Sequence, residues 1–263
     1  RVNLGDNYVT GVKRVASPLP NSLVVAPSVV LITPLGEDWP DTFSVSSSVI
    51  DVNSSTLNVF RVDALSRWGQ TLNASVLAAY EIRRANLQSG SFSVGVASTF
   101  IVQRTITFPQ AFAQTPRVIA TVRGENVVDT FAVTITGITP TSCTLNILRL
   151  DGGPGWGQNP RIDWIAFRDE GLADLQLSAA ACGTAIIGTG PTTVKRVSIS
   201  FNRTFAAVPT VHLCPQGEPP YNDTFGVTVT NLSTTGFVAN IKRADAPANG
   251  WSLNLQLHWL AVL

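Results

Sequence analysis

Between Ser89 and Val96 apolar and small polar residues alternate with a period of two, with Phe92, Val94 and Val96 on one face. After a polar break the pattern returns at 105–108, then at 117–122, 130–135, 143–149 and 161–167, each run rich in Thr and Val and closed by Pro, Gly or Asn. Such alternation marks half-buried strands, and about six strands in this span is the density of a β-sandwich. No segment carries a sustained helical period. Residues 81–87 could pass for a short helix, but the internal repeat makes them a junction.

That repeat runs through the whole chain. A Gly-Glu pair, an Asp-Thr-Phe strand start, an N-x-x-R-x-D strand end and a Trp follow one another three times. The copies are Gly36-Glu37, Asp41-Thr42-Phe43, Asn58, Arg61, Asp63 and Trp68; Gly124-Glu125, Asp129-Thr130-Phe131, Asn146, Arg149, Asp151 and Trp156; and Gly217-Glu218, Asp223-Thr224-Phe225, Asn240, Arg243, Asp245 and Trp251. The step between successive Arg residues is 88 and then 94 residues, the size of a small domain and too long for a solenoid unit. The expectation is an all-β chain of three tandem six-stranded antiparallel β-sandwiches, spanning 1–82, 83–169 and 170–263. Junctions this short leave the three units to pack around a common axis as a pseudo-trimer within one chain.

Composition narrows the function. Charged residues make up 13% of the chain, against about 25% in an average soluble protein. The net charge is +1, which gives no basic surplus for phosphates and no acidic block, so nucleic acid is excluded as a partner. No apolar run reaches the roughly 18 residues of a membrane span. The sequons at Asn53, Asn73, Asn202, Asn222 and Asn231, with a start at Arg1 in place of Met, fit a processed, secreted or cell-surface glycoprotein. Of the three cysteines, Cys182 and Cys214 fall in the third unit, where they could bridge its first two strands; Cys143 has no partner in its own unit.

The short motifs of the second and third units resemble the H-type lectin domain. They are Leu87 to Gly95, Ile106-Thr107-Phe108, Phe112, Pro116-Arg117-Val118 and Trp164-Ile165-Ala166, then Ile199-Ser200-Phe201, Phe205, Pro209-Thr210-Val211, Thr235-Gly236-Phe237 and Trp259-Leu260-Ala261. The first unit is the most worn, with Val76 in place of the closing Trp. The resemblance implies a six-stranded antiparallel sandwich that forms homotrimers and binds N-acetylgalactosamine-type sugars in clefts between protomers. It also implies an acidic residue near the start of the domain, an Arg on the fourth strand and a Trp-His…Tyr group after the fifth. Here the Arg position falls on Thr42, Thr130 and Thr224, the His position on Asp63, Asp151 and Asp245, and the Tyr position on Trp68, Trp156 and Trp251. The place of a site can carry over; specificity for N-acetylgalactosamine does not follow.

A sugar site needs an aromatic face for the apolar side of the ring and fixed polar groups for its hydroxyls. The candidates are Asp63 with Trp68, Asp151 with Trp156, and Asp245 with Trp251, aided in the Gly-Glu loops by Trp39 and Tyr221. The second copy has Val127-Val128 there and should be the weakest. Two readings of the Trp residues stay open: exposed beside the Asp they favour binding, buried they favour packing. The pairs Asp41/Arg61, Asp129/Arg149 and Asp223/Arg243, at the open end of one hairpin, read either as structural ion pairs or as ligand contacts. His212 and His258 do not recur, and no nucleophile elbow or phosphate loop is present, so no enzymatic activity is expected. No metal-ligand cluster is evident; calcium has oxygens in the Glu37, Asp41 and Asp63 set but no D-x-D-x-D-G loop. The expected partners are glycans or glycoproteins. The alternative is a structural or adhesion module that binds itself or other extracellular proteins in a coat, fibre or matrix.

Overall fold

The computed structural model describes the chain except residues 8–10, 20–24, 65–66, 126 and 176–178. The first unit contributes β1 (Val2–Asn7), β2 (Lys13–Pro18), β3 (Val29–Leu35), β4 (Phe43–Ile50), β5 (Ser54–Arg61) and β6 (Trp68–Ala79). The second contributes β7 (Ile82–Arg84), β8 (Leu87–Ser93), β9 (Ile101–Thr107), β10 (Arg117–Arg123), β11 (Phe131–Thr136), β12 (Ser142–Arg149) and β13 (Arg161–Phe167). A 3-10 turn, Asp169–Leu175, precedes the third unit of β14 (Ala180–Gly190), β15 (Lys195–Ser200), β16 (Thr210–Gln216), β17 (Phe225–Thr230), β18 (Gly236–Arg243) and β19 (Trp251–Val262). The chain is all-β, as the alternation implies. The segment at 82–84 adds a short seventh strand to the second unit, paired with β8.

Each sheet is shared between two units. One runs β1-β6-β3-β17-β18-β15, the next β2-β5-β4-β10-β13-β8-β7, the last β14-β19-β16-β11-β12-β9. Within a unit the strands pair antiparallel; between units they meet in parallel, at Arg123 with Ser47, Ile135 with Gln216 and Val229 with Leu35. The first unit is thus joined to the second, the second to the third and the third back to the first. The core falls into three clusters: one within the first unit around Phe43 and Trp68, one centred on the second around Phe131 and Trp164 that also takes in Val29, Leu31, Cys214 and Leu260 from its neighbours, and one around Phe225 and Trp259 that takes in Leu35.

Strands β3, β10 and β16 line the common axis and leave a cavity of about 50 Å³ lined by residues of all three units, Thr33, Thr121 and Cys214 among them. Around it the units exchange hydrogen bonds at equivalent positions. The Val30 N–H donates to Asp163 Oδ2 at 3.0 Å, the Val118 N–H to His258 Nδ1 at 3.0 Å and the Val211 N–H to Ser75 Oγ at 3.4 Å. His258 is therefore a seam residue of its sheet, its Nδ1 lying 3.0 Å from the Val118 nitrogen and 3.3 Å from the Val118 carbonyl oxygen. Burial lowers His258 to about 4 and the fully buried His212 to about 3. Burial likewise pushes the Asp163 carboxyl up, against the pull of Arg123 at 3.1 Å.

All three cysteines are free and buried, which corrects the expected Cys182–Cys214 bridge. Cys182 on β14 faces Leu260 and Cys214 on β16 faces His258, with β19 lying between them. Two strand spacings make about 9–10 Å, beyond the roughly 4.4–6.8 Å between Cα atoms that a disulfide spans. Burial pushes all three thiols up to about 12.

Candidate functional site

The repeated residues gather at one end of each sandwich. The hairpin register sets Phe43 opposite Arg61, Phe131 opposite Arg149 and Phe225 opposite Arg243, so the Asp two residues before each Phe reaches the guanidinium. Arg61 Nη2 lies 2.7 Å from Asp41 and 2.9 Å from Asp63. Arg149 lies 2.9 Å from Asp129 and 3.2 Å from Asp151, and Arg243 is 2.8 Å from both Asp223 and Asp245. The second Asp of each clamp also accepts the backbone N–H of the strand-start Thr: Thr42 at 2.7 Å, Thr130 at 2.7 Å and Thr224 at 2.8 Å. Asp63, Asp151 and Asp245 therefore hold the strand start to the strand end, and their carboxylates are engaged within the protein.

Trp68, Trp156 and Trp251 are 2%, 4% and 4% exposed, which corrects their reading as faces for a ligand. Each lies edge-on against the Phe of its Asp-Thr-Phe motif, at 5.1, 5.3 and 5.2 Å between ring centroids. Each indole N–H donates to a glycine carbonyl: Gly5 at 3.2 Å, Gly95 at 2.8 Å and Gly188 at 2.8 Å. Those glycines have φ of 63°, 83° and 68°, a region that a side chain disfavours. Loop-like neighbours hid this role, because the polar residues around each Trp belong to a turn while the ring itself points inward.

The Gly-Glu loop is the part that stays open. Trp39 is 57% exposed and Tyr221 43%, while the second copy exposes Val127 and Val128. Trp39 borders a hollow of about 480 Å³ lined by Glu37, Pro40, Asp41, Arg61, Gly69 and Gln70. Gln70, which the sequence reading overlooked, ties it together: its Nε2 donates to Asp41 at 2.6 Å and its Oε1 accepts the Glu37 N–H at 2.8 Å. Gln158 does the same for Asp129 and Glu125. A Cβ at Gly36 or Gly124 would sit 2.8 or 2.7 Å from the Gln oxygen, which favours glycine before Glu37 and Glu125. A Gln two residues after the Trp in two copies was the available signal; the third copy has Leu253.

The loop is held from the neighbouring unit. The buried Asn240 donates to the carbonyls of Trp39 at 2.6 Å and Asp41 at 3.1 Å, and Thr228 accepts the Phe43 N–H at 2.7 Å. Asn58 grips Val127 and Asp129, both at 2.9 Å, and Asn146 reaches Tyr221 at 3.5 Å. Arg196 of the third unit, bonded to Asp38, closes the outer side of the Trp39 loop.

Of the sequons, Asn53, Asn202, Asn222 and Asn231 are exposed. Asn73 is half-buried on β6, between β1 and β3, where a glycan would have to leave through a sheet face. Among the described residues no group of three or more His, Cys, Asp and Glu is placed to hold a metal ion, and no helix is long and apolar enough to cross a membrane.

No protein-family model matches the chain, and no curated protein is similar to it in sequence. Two solved structures of discoidin II from Dictyostelium discoideum, one recombinant and one wild-type, show a partial likeness at 14% identity and a TM-score of 0.25. Both alignments cover 59% of this chain, and 78% and 76% of the respective discoidin chains. A likeness of this degree carries no argument about the site. By its own geometry the protein is an all-β assembly of three sandwich units, with Trp39 and Tyr221 displayed on loops anchored across the seams.

Proposed function

We propose that this is a secreted or cell-surface carbohydrate-binding protein that acts by recognition without chemistry, with its principal site at the Trp39 hollow. The observation that carries this reading is an exposed indole beside groups already fixed in place: the Asp41–Arg61–Gln70 network and the Glu37 carboxylate. An aromatic face suits the apolar side of a pyranose, and oriented carboxylates and amides suit its hydroxyls. Tyr221, exposed on the equivalent loop of the third unit, would give a second, looser site without the Gln, and the Val127 copy is the weakest. The resemblance to H-type lectin domains, with boundaries near residues 82 and 169, favours sugars of the galactose or N-acetylgalactosamine type. Thr42, Asp63 and Trp68 replace that family's sugar contacts, so the sugar has to be read by experiment.

The test is a broad glycan array, with and without calcium, probed with the wild-type chain and with Trp39→Ala. The expected result is retention on a terminal sugar that free monosaccharide competes away and that Trp39→Ala loses while its melting temperature stays unchanged. Silence of the wild type across the array would sink the proposal. It would favour the second reading, a structural or adhesion module of an extracellular assembly. The observation behind that alternative is that every Trp, Arg and Asp of the three-fold motif is spent on internal clamps.

A further inference from the structure

The seam between the second and third units carries a second hollow, of about 340 Å³, away from the Trp39 loop. Its lining includes Arg117 and Gln114 of the second unit and Thr184, Gln216, Gln256 and His258 of the third. Gln216 and Gln256 are register partners on β16 and β19, and Thr184 faces His258 across β14 and β19, so four polar side chains share one patch of sheet. The volume lies at the small end of the roughly 300–1,000 Å³ typical of small-molecule clefts.

Two features give this hollow a chemistry. Its charges are already paired, Arg117 with Asp169 and Arg168 with Glu170, so it offers no net charge to an ion. The Oε1 of Gln216 is buried and accepts no hydrogen bond from the described residues. A buried orphan acceptor is costly, and the Gln216 side chain that carries it forms part of the wall of the hollow. Around it stand the Gln256 amide, the Thr184 hydroxyl, which already accepts from Arg117 Nε at 3.2 Å, and His258, whose Nδ1 is taken by Val118. The other two seams are built differently, with Val29 near Asp163 in one and Thr210 near Ser75 in the other, in the places of Arg117 and His258.

We propose that this hollow is a second binding site, for a small neutral polyhydroxylated molecule. Interleaved donors and acceptors with paired charges match hydroxyls, which give and accept at once, and match a carboxylate or phosphate poorly. The site stands independently of the Trp39 reading, and one experiment separates them.

The ¹H–¹⁵N side-chain amide signals of Gln216 and Gln256 and the His258 ring signals are followed by NMR during titration of the whole chain. The probes are myo-inositol, methyl β-D-galactoside and, as the charged counterpart, methyl β-D-glucuronide. The expected result is saturable shifts with at least one neutral probe that persist in Trp39→Ala and weaken at least tenfold in Gln216→Leu. Thr184→Val is the second variant, expected to weaken binding several-fold, should Gln216→Leu fail to fold. No saturable shift with either neutral probe, shifts unchanged in the variants, or tighter binding of the glucuronide would each overturn the proposal.

Discussion

Replacing Trp251 by Ala removes a nearly fully buried indole, its edge-on contact with Phe225 at 5.2 Å and its hydrogen bond to the Gly188 carbonyl at 2.8 Å. Core Trp→Ala changes cost about 3–5 kcal/mol through lost transfer energy and the cavity left behind. A carbonyl deprived of its donor adds about 1 kcal/mol. Little can collapse into the gap, because Gly190 lies against the ring so closely that a Cβ there would come within 2.0 Å of it. The expected loss is therefore about 4–6 kcal/mol, read as a fall in the midpoint of urea unfolding followed by circular dichroism at constant slope. Trp251→Phe should keep most of the packing and forfeit mainly the hydrogen bond. A loss below about 1 kcal/mol for Trp251→Ala would refute the assignment of this ring to the core, and with it the equivalent roles of Trp68 and Trp156.

Asn240→Ala should weaken glycan binding at the Trp39 hollow several-fold although Asn240 touches no ligand, because it frees the Trp39 and Asp41 carbonyls; unchanged affinity in a direct titration would refute the anchoring. Arg149→Ala leaves Asp129 and Asp151 facing each other within a largely buried clamp and should cost about 2–3 kcal/mol, less than a fully buried pair because Arg149 is partly exposed; an unaltered melting temperature would argue against the clamp. In acid, His258 and His212 matter most: held at about 4 and 3 when folded, against about 6.5 when unfolded, they take up protons in the unfolded chain first. Their contribution is fully present above about pH 6.5 and is lost progressively as pH falls toward 4 and 3, several kcal/mol in all. The pH dependence of the urea midpoint should flatten in the double variant His258→Gln, His212→Leu, and an equally steep dependence would rule the histidines out as its cause.

The period-two alternation and the three-fold motif made the strands, the number of units and the hairpin register legible from sequence. Phe43, Phe131 and Phe225 are core residues because they open a strand with a polar turn behind them, a pattern that composition displays directly. The Trp residues were harder, since each indole N–H is held by a glycine carbonyl about sixty residues away, and distance along the chain conceals such a partner. The same holds for Asn58, Asn146 and Asn240. They are visible as repeated letters, yet their function lies in a neighbouring unit and appears only when the ring closes. Trp39 and Tyr221 were readable as loop aromatics, whereas Gln70 and Gln158 fell outside the pattern because the third copy departs from it.

The sharing of sheets between units has a consequence for truncation. Without the third unit, β3 loses β17 and β11 loses β16, which bares two strand edges that are complementary to each other. The two-unit fragment cannot bring those edges together within itself at the angle of a three-membered ring. The β11 edge of one copy can instead receive the β3 edge of another, in a head-to-tail contact that each addition renews. The intact chain thus holds its third unit as the stopper that turns a polymerising surface into a closed molecule, and a stop codon near residue 170 would be expected to yield filaments or larger rings in place of a smaller monomer.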